Sequence, residues 1–412
     1  MHYIKDCLIR LRFRIIGMLT LPVVFSFPLQ AADTLDFRFH YGMIILSGKL
    51  NGVATDFLFD TGSNITITTP GNNAAAGITP SRNTTVARDA NNNVELLNRV
   101  HINSVQFGSL VFKNIKGITA GMPVLACNNF VLLGQDVIRQ CNWLFDFERL
   151  QVIISKRPFQ KETGSALWKV SMKNTKPYVP IRITPDTTLQ CLIDMGFSGV
   201  LDIAKSYPAL DVMIRQRQQE GKLYQQLTRG GMGLLGYGRH NLEHVFTADS
   251  VWLPGMPVTD FPVTVENNGF TKLGIRFFSS ACRQLVLHHT SNEYELRLRD
   301  TLRWNTQVSD ASVMFENGKL LVQDKNISPS STAHVLYVGE ELRSVNGKTA
   351  AEFENLCAFL EWKFTNRYSN IIVERADGSR MEIRTILVGH PDAKSARKIN
   401  SWQEDMESPV RE

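Results

Sequence analysis

Short apolar stretches alternate with clusters of glycine, asparagine and proline along most of the chain, and this pattern predicts a mainly β protein. The predicted strands Gly42–Leu50 and Thr55–Asp60 flank Asn51-Gly52. An Asn-Gly pair between apolar runs is a strong signal for a β-hairpin. The hairpin leads directly into Asp60-Thr61-Gly62-Ser63, so the sequence predicts an acidic side chain at a rigid strand end.

The same plan recurs later in the chain, which indicates an internal duplication. The predicted strands Tyr178–Ile183 and Leu189–Asp194 form a second hairpin, which leads into Asp194-Met195-Gly196. In both copies a short, mostly apolar segment then ends in a glycine, at Gly134 and at Gly274. The shared order and similar spacing of these landmarks predict two related β-rich lobes.

Beyond about residue 301 the pattern changes to that of a small α+β module. The predicted elements are the strands Lys319–Gln323, Glu341–Val345, Asn370–Glu374 and Met381–Leu387 and the helix Ala350–Phe364. The segment 393–412 is polar with mixed charge, which predicts a disordered tail.

The N-terminus has the pattern of a secretory signal peptide over residues 1–31. Four basic side chains precede an apolar run over residues 15–27, namely Lys5, Arg10, Arg12 and Arg14. Small residues then predict cleavage after Ala31. The alternative is an uncleaved membrane anchor, although the run is short for a membrane span. We expect export, with the periplasm as the destination and secretion or N-terminal anchoring as alternatives, and no further membrane span.

Charge and cysteine content add two constraints. The chain has 45 Lys+Arg and 39 Asp+Glu, which is no argument for nucleic acid binding. Five cysteines follow the predicted leader, and they are Cys127, Cys141, Cys191, Cys282 and Cys357. None forms a C-x-x-C pair or stands at metal-ligand spacing from a histidine, so we expect no metal and no cofactor. Export would permit a disulfide, but buried free thiols fit the sequence equally well.

Two Asp-x-Gly motifs on paired hairpins point to a specific chemistry. Two carboxyl groups a few ångströms apart do not both ionise readily, so they share one proton. One member then takes a proton from water while the other donates a proton toward a peptide oxygen. The glycine in each motif allows a tight turn and a close approach of the two backbones.

These motifs resemble the aspartic proteases, in particular retropepsin-like bacterial relatives that carry both halves on one chain. Phe57–Ser63 is similar to the family's apolar-apolar-Asp-Thr-Gly-Ser signature, and Val131–Gly134 to its apolar-apolar-Gly hallmark. The resemblance implies a mainly β, bilobal fold of two retropepsin-like β-barrel lobes. The implied segments are a leader at 1–31, lobes at 32–159 and 160–301, a further module at 302–392 and a tail at 393–412.

The same resemblance implies the site and the activity. Asp60 and Asp194 would be the catalytic pair of an aspartic-type endopeptidase that hydrolyses polypeptide substrates. The implied supporting residues are Thr61, Gly62, Ser63, Met195 and Gly196, with the Ser63 hydroxyl expected to bond the Asp60 carboxylate. One residue departs from the family pattern, because Met195 replaces the hydroxyl residue whose side chain locks the two loops together. A catalytically impaired, peptide-binding or adaptor protein is therefore the alternative function.

The flaps that close over a substrate are expected near Ala87–Asn98 and near the glycine-rich Gly230–Gly238. The segment Val338–Gly347 resembles the core of bacterial PDZ domains. That resemblance implies a module that binds C-terminal or extended peptides by β-augmentation. Its expected peptide groove is lined by Phe315, Gly318, Leu320 and Val322.

Overall fold

The computed structural model describes residues 32–266, 270–302, 304, 306–328, 331–366 and 369–388. The predicted signal peptide and the predicted tail at 393–412 lie outside these residues. Within the described ranges, no helix has the length and apolar character needed to cross a membrane.

The first lobe consists of the strands up to residue 155 and three short helices. Its strands are β1 (Asp33–His40), β2 (Met43–Leu50), β3 (Val53–Phe59), β4 (Ile67–Thr68), β5 (Thr84–Arg88), β6 (Val94–Phe107), β7 (Leu110–Thr119), β8 (Val131–Leu133), β9 (Asn142–Asp146) and β10 (Gln151–Ser155). Its helices are α1 (Pro70–Ala75), α2 (Pro123–Asn128) and α3 (Gln135–Ile138).

The second lobe consists of the strands between residues 166 and 298 and two helices. Its strands are β11 (Ala166–Lys169), β12 (Ser171–Lys173), β13 (Lys176–Thr184), β14 (Thr187–Asp194), β15 (Leu201–Ala204), β16 (Tyr224–Thr228), β17 (Met232–Gly233), β18 (Gly236–Tyr237), β19 (Asn241–Leu253), β20 (Met256–Glu266), β21 (Lys272–Gly274), β22 (Cys282–His288) and β23 (Glu293–Leu298). Its helices are α4 (Pro208–Gln219) and α5 (Ile275–Ala281).

The C-terminal module contains one α-helix and two short 3-10 helices, Thr332–Val335 and Ala350–Glu352. Its α-helix is α6 (Leu356–Thr365). Its strands are β24 (Thr306–Ser309), β25 (Ala311–Glu316), β26 (Lys319–Asn326), β27 (Glu341–Val345), β28 (Lys348–Thr349), β29 (Ile371–Arg375), β30 (Arg380–Ile383) and β31 (Thr385–Val388).

The two lobes share one strand order. In the first lobe it is β2-β3-β8-β4-β7-β6-β5, and in the second it is β13-β14-β21-β15-β20-β19-β16. In each lobe the strand that leads to the Asp-x-Gly motif runs parallel to the strand that ends at the glycine, as β3 does with β8 and β14 with β21. The two aspartates therefore occupy equivalent positions in the two sheets.

The sheet of the first lobe continues through β1 into a stretch that joins the lobes, with the order β11-β23-β22-β9-β10-β1. Its central pair is β9 with β22, one strand from each lobe, in antiparallel register from Asp146–Gln284 to Trp143–Leu287. Large aromatic side chains pack beneath it, with the rings of Trp143 and Phe59 centred 5.0 Å apart. Apolar burial across this sheet holds the lobes in one fixed arrangement.

The hairpin turns follow from the residues that form them. Leu50 pairs with Val53, so Asn51-Gly52 is a two-residue loop, and both residues have positive φ. Asparagine and glycine are the residues that tolerate this left-handed conformation best. In the second lobe Thr184 pairs with Thr187 across Pro185-Asp186. Both predicted turns are confirmed.

Two predictions for the module need correction. The predicted helix Ala350–Phe364 is interrupted, because the Asn355 side chain caps a new helix by accepting hydrogen bonds from the backbone N–H groups of Cys357 and Ala358. The predicted strand Met381–Leu387 is two strands, since β30 pairs with β29 while β31 pairs with β24.

The cysteines also divide into two groups. Cys127 of α2 and Cys357 of α6 form a disulfide between the first lobe and the module. Cys141, Cys191 and Cys282 are buried free thiols. Both alternatives left open by the sequence therefore occur in one molecule.

Candidate active site

Asp60 stands at the end of β3, where the backbone fixes its carboxyl group. The Asp60 N–H donates to the carbonyl of Leu133 at 3.1 Å, which continues the parallel pairing with β8. Its Oδ1 accepts hydrogen bonds from the N–H groups of Gly62 at 2.7 Å and Ser63 at 3.2 Å. The turn after the strand therefore holds the side chain in one orientation.

Asp194 is held in the same manner at the end of β14. It pairs with Gly274 in the parallel register of β14 and β21. Its Oδ1 accepts a hydrogen bond from the N–H of Gly196 at 3.1 Å. Both carboxyl groups are half-buried, so each retains access to solvent.

The two carboxyl groups meet each other across the glycines of the opposite motif. A Cβ atom added at Gly62 would lie 2.5 Å from Oδ1 of Asp194, and one added at Gly196 would lie 2.6 Å from Oδ1 of Asp60. Real Cβ atoms do not approach other atoms so closely, so only glycine fits at either position. The two Asp-x-Gly motifs are thus mutually dependent, because each glycine makes room for the other aspartate.

The electrostatics of the pair favour one shared proton. Burial raises the pKa of Asp60 well above its usual range, and the nearby charge and hydrogen bond of Asp194 raise it further. The hydrogen bond from the Gly62 N–H works in the opposite direction but is the smaller effect. A carboxyl with a raised pKa next to a second carboxyl is the arrangement required of a proton donor and a proton acceptor.

Thr61 locks the two loops beneath the carboxyl groups. Its hydroxyl donates to the carbonyl of Ile193 at 2.7 Å and accepts from the N–H of Met195 at 2.9 Å. Both Thr61 and Met195 are fully buried. Met195 therefore still takes part in the lock through its backbone, although its side chain supplies no hydroxyl for the reciprocal pair of bonds.

The expected role of Ser63 is corrected by this geometry. The Ser63 hydroxyl donates to the carbonyl of Ile65 at 2.8 Å and stabilises its own turn. The bond to Asp60 comes from the Ser63 backbone N–H instead. A hydroxyl at this position is therefore not what orients the carboxylate.

Because Thr61 carries the lock alone, Thr61→Val should destabilise the fold and lower any activity. The change would leave the Ile193 carbonyl and the Met195 N–H buried without partners, at a cost of roughly 2–4 kcal/mol in the free energy of unfolding. Thermal unfolding would measure the loss, with Thr61→Ser as the matched control because it keeps the hydroxyl. A Val variant that unfolds at the wild-type temperature would contradict the role of Thr61.

The two segments predicted as flaps form hairpins whose tips meet. In the first lobe β5 and β6 join through residues 89–93, and in the second β16 and β19 flank the small β17–β18 hairpin. Asn91 Nδ2 donates to the carbonyls of Gly231 at 2.8 Å and Gly236 at 3.0 Å. The N–H of Leu235 donates to Asp89 Oδ2 at 3.0 Å. We call these contacts the flap latch.

Asn91→Ala should loosen this latch. Losing both side-chain bonds costs about 1.5 kcal/mol, which corresponds to roughly tenfold faster amide exchange in the two hairpin tips. Hydrogen exchange read by mass spectrometry would detect the change in residues 89–93 and 231–236. Asn98→Ala, at an exposed position further along β6, is the control and should leave exchange in the tips unchanged.

The second flap is also part of the module's sheet. β16 pairs antiparallel with β26, from Gln226–Asn326 to Thr228–Asp324. Beyond the strand, Arg229 forms an ion pair with Glu316 at 2.8 Å. The first lobe holds the module from the other side, since Tyr41 stacks on Phe364 with ring centroids 3.9 Å apart. The module therefore bridges the second flap and the first lobe.

The residues of the expected peptide groove lie on β25, on β26 and in the turn between them. Leu320 and Val322 are fully buried in the module's core. Gly318 lies in the turn, with positive φ. Phe315 is half-buried, and its ring stacks on that of Phe359 in α6. A peptide groove along these four residues stays a prediction.

The contacts of two residues within the predicted flap Ala87–Asn98 could not be read from the sequence. Asp89 and Asn91 of the flap latch are in a run of small polar residues, Asp89–Asn93, that reads as an ordinary turn. Their partners lie 140 residues or more away, so only the folded structure reveals the latch. No group of three or more His, Cys, Asp or Glu side chains in the described part of the chain is arranged to hold a metal ion.

A comparison with known families bears on this site. Residues 46–140 match the family model described as "gag-polyprotein putative aspartyl protease". The matched segment runs from β2 to just past α3, and it contains both Asp60-Thr61-Gly62 and the Leu133-Gly134 pair. The match supports a protease, and hence a hydrolase, at the level of the family. No curated protein matches the chain.

Proposed function

We propose that this protein is an exported aspartic endopeptidase in which Asp60 and Asp194 activate one water molecule between two retropepsin-like lobes. The observation that carries the proposal is the mutual fit of the two motifs, in which each glycine leaves room for the opposite carboxyl. The equivalent strand orders of the two lobes and the family match of the first lobe support it.

The chemistry follows from one proton shared by two carboxyl groups. Burial and the adjacent Asp194 raise the pKa of Asp60, which favours one proton held within the pair. Asp194 takes a proton from the attacking water, while Asp60 donates its proton toward the oxygen of the peptide carbonyl. A tetrahedral diol results, and proton transfer to the leaving nitrogen then breaks the C–N bond. No covalent enzyme intermediate is formed.

This proton balance sets a pH dependence. Hydrolysis requires Asp60 in its protonated form, so activity should fall as the pH rises through the raised pKa of Asp60. Activity should also fall in strong acid, when the pair carries two protons and lacks a base. A plot of kcat/KM against pH should therefore be bell-shaped, with its maximum at acidic pH.

Met195 favours a second candidate function, that of a catalytically impaired protein that binds peptides or acts as an adaptor. Its side chain lacks the hydroxyl that would complete the lock beneath the carboxyl groups. In this alternative the cleft and flaps are retained but turnover is lost. Met195→Thr distinguishes an endopeptidase from a binding protein. The added hydroxyl should raise the turnover of an endopeptidase, whereas a protein that only binds peptides should stay inactive.

We assign the module the task of holding the second flap, since β16 belongs to the same sheet as β26. Capture of C-terminal or extended peptides by the module stays a proposal. The disulfide between Cys127 and Cys357 supports export to an oxidising compartment such as the periplasm, because such bonds are rare in reducing ones.

The test is direct hydrolysis by residues 32–412. An unfolded protein is incubated with this chain at pH values from about 3 to 8, the range over which carboxyl pairs titrate, and products are identified by mass spectrometry. In H₂¹⁸O, every new C-terminus should carry one ¹⁸O atom from the attacking water. Cleavage with an acidic optimum supports the proposal. Intact substrate at every pH, from wild type and from Met195→Thr, would exclude it in favour of the binding protein.

A further inference from the structure

The face of each sheet that carries the catalytic aspartate can be followed from strand to strand. Side chains two residues apart on a strand point to the same face, so Leu58 shares the face of Asp60 and Leu192 shares that of Asp194. Residues paired in register also share a face. We call the resulting surfaces the first cleft face and the second cleft face.

Register pairing extends each face over three neighbouring strands, which occupy corresponding positions in the two lobes. The first cleft face continues from Leu58 through its partners on β8, β4 and β7, and the second from Leu192 through β21, β15 and β20. The equivalent pairs, first lobe before second, are Leu58 and Leu192, Leu132 and Lys272, Ile67 and Asp202, and Ile118 and Thr264.

The first cleft face is apolar throughout. Leu58, Ile67, Ile118 and Leu132 are buried and belong to one hydrophobic cluster. The side chain of Leu235, from the second flap, packs against this cluster together with its neighbour Leu234. The second flap thus places leucine side chains against this half of the cleft, and an apolar substrate side chain would take their place there.

The second cleft face carries charge at the equivalent positions. Lys272 Nζ lies 3.3 Å from Asp202 Oδ2 and 3.9 Å from Glu266 Oε1. The side chains of these residues are each only 12–13% exposed. Buried charges are costly unless paired, so a replacement of leucine and isoleucine by lysine and aspartate needs a compensating role.

A third acid, Glu243 on β19, is close enough to Asp202 and Glu266 to interact with their charges. Its backbone belongs to the β16–β19 ladder, but its carboxyl group takes part in no hydrogen bond or ion pair within the described ranges. Burial, together with the charges of Glu266 and Asp202, raises its pKa well above the usual range. Burial and Asp202 likewise raise the pKa of Glu266 to about 7. Lys272 is thus paired with Asp202 and Glu266, and Glu243 is the acid of the three that is left to pair with an incoming cation.

Asp202 and Glu243 border the same cavity of about 150 Å³. Gln226, on the strand of the second flap, forms part of its wall. Arg276 also borders the cavity, but it already takes part in an interaction of its own. Asp202 lies two strands from Asp194, which is roughly 10 Å at the usual spacing of strands. A substrate side chain near the scissile bond spans such a distance.

We infer that the cleft selects peptides with a leucine-like side chain on the first-lobe side of the scissile bond and a cationic side chain, arginine or lysine, on the second-lobe side. This inference rests on the proposed function for its scissile bond. The cationic side chain would enter the cavity beside Asp202 and pair with Glu243. The two lobes would thereby select different substrate side chains, an apolar one in the first lobe and a cationic one in the second.

Matched peptides test the cationic half. Cleavage sites are first mapped in a peptide library with residues 32–412, and the best peptide is then made with arginine or with citrulline at the selected position. Citrulline has nearly the same shape but no charge. We expect kcat/KM to be at least about tenfold higher for arginine, the size of one charge-assisted hydrogen bond.

Glu243→Gln should reduce this preference to less than about threefold, measured as the ratio of kcat/KM for the two peptides. Glu354→Gln, a change of an exposed acid in the module, is the matched control and should leave the preference intact. Equal cleavage of the two peptides by wild type would overturn the inference, as would a preference that survives in Glu243→Gln.

Binding separates this inference from the proposed function. Both peptides are titrated into the Asp60→Asn chain, and binding is followed by fluorescence anisotropy. Tighter binding of the arginine peptide, lost with Glu243→Gln, supports the charged subsite even if wild type proves unable to hydrolyse. Equal binding of the two peptides, together with hydrolysis by wild type, would contradict the charged subsite but not the proposed protease activity.

Discussion

Asp60→Asn and Asp194→Asn should each abolish hydrolysis, with kcat falling by at least about 10³-fold. Neither amide can take a proton from water or supply the shared proton. Because the two carboxyl groups act as one unit, the double variant should be no slower than either single variant. The measurement is the rate of peptide cleavage at the pH optimum of the wild type.

Asp186→Asn is the appropriate control for these variants. Asp186 is an exposed aspartate in the turn before β14, so its replacement should leave kcat unchanged. Circular dichroism would verify that the variants are folded. Full activity in Asp194→Asn would falsify the paired-carboxyl mechanism, and equal residual rates in all three variants would indicate a contaminating protease.

Breaking the Cys127–Cys357 disulfide should have the largest effect on stability. The bond closes a loop with a sequence separation of 230 residues. In the chain-entropy account, a loop of this length stabilises the native state by about 5 kcal/mol, because it restricts the unfolded chain. Cys127→Ala with Cys357→Ala should therefore lower the denaturant midpoint strongly.

Reduction supplies the control for this prediction. Wild type treated with a reductant should unfold at the denaturant concentration of the double variant, and the double variant should be insensitive to the reductant. Each single variant should lose as much stability as the double. A reduced wild type that keeps the oxidised midpoint would show that packing of Tyr41 on Phe364 holds the module without the disulfide.

The parts of the fold that depend on local sequence could be predicted. Asn51-Gly52 and Pro185-Asp186 specify their turns through backbone conformation alone, and alternating apolar residues specify the strands on either side. Asp60 and Asp194 could be paired because the recurring hairpin pattern predicts equivalent strand ends for them, and the strand orders of the two lobes agree with this. The family match to residues 46–140 reaches the first of these aspartates but not the second.

What could not be predicted depends on contacts between distant segments. From the sequence, Met195 is expected to weaken the contact between the two loops, because its side chain has no hydroxyl. The sequence does not show that its backbone N–H donates to Thr61. The full burial of Leu320 and Val322 could not be predicted, because strand periodicity does not reveal which face is covered. The predicted helix Ala350–Phe364 shows two local signals in competition. The helical pattern runs across Asn355, but the side chain of Asn355 caps a new helix there and interrupts the predicted one.

The positions of the cysteines impose an order on biosynthesis. Cys127 emerges early, and three other thiols, Cys141, Cys191 and Cys282, are made before its partner Cys357 exists. Each of them is a possible wrong partner for Cys127 in an oxidising compartment until the lobes fold and bury them. Burial of these three thiols in the folded lobes leaves Cys357 as the partner of Cys127.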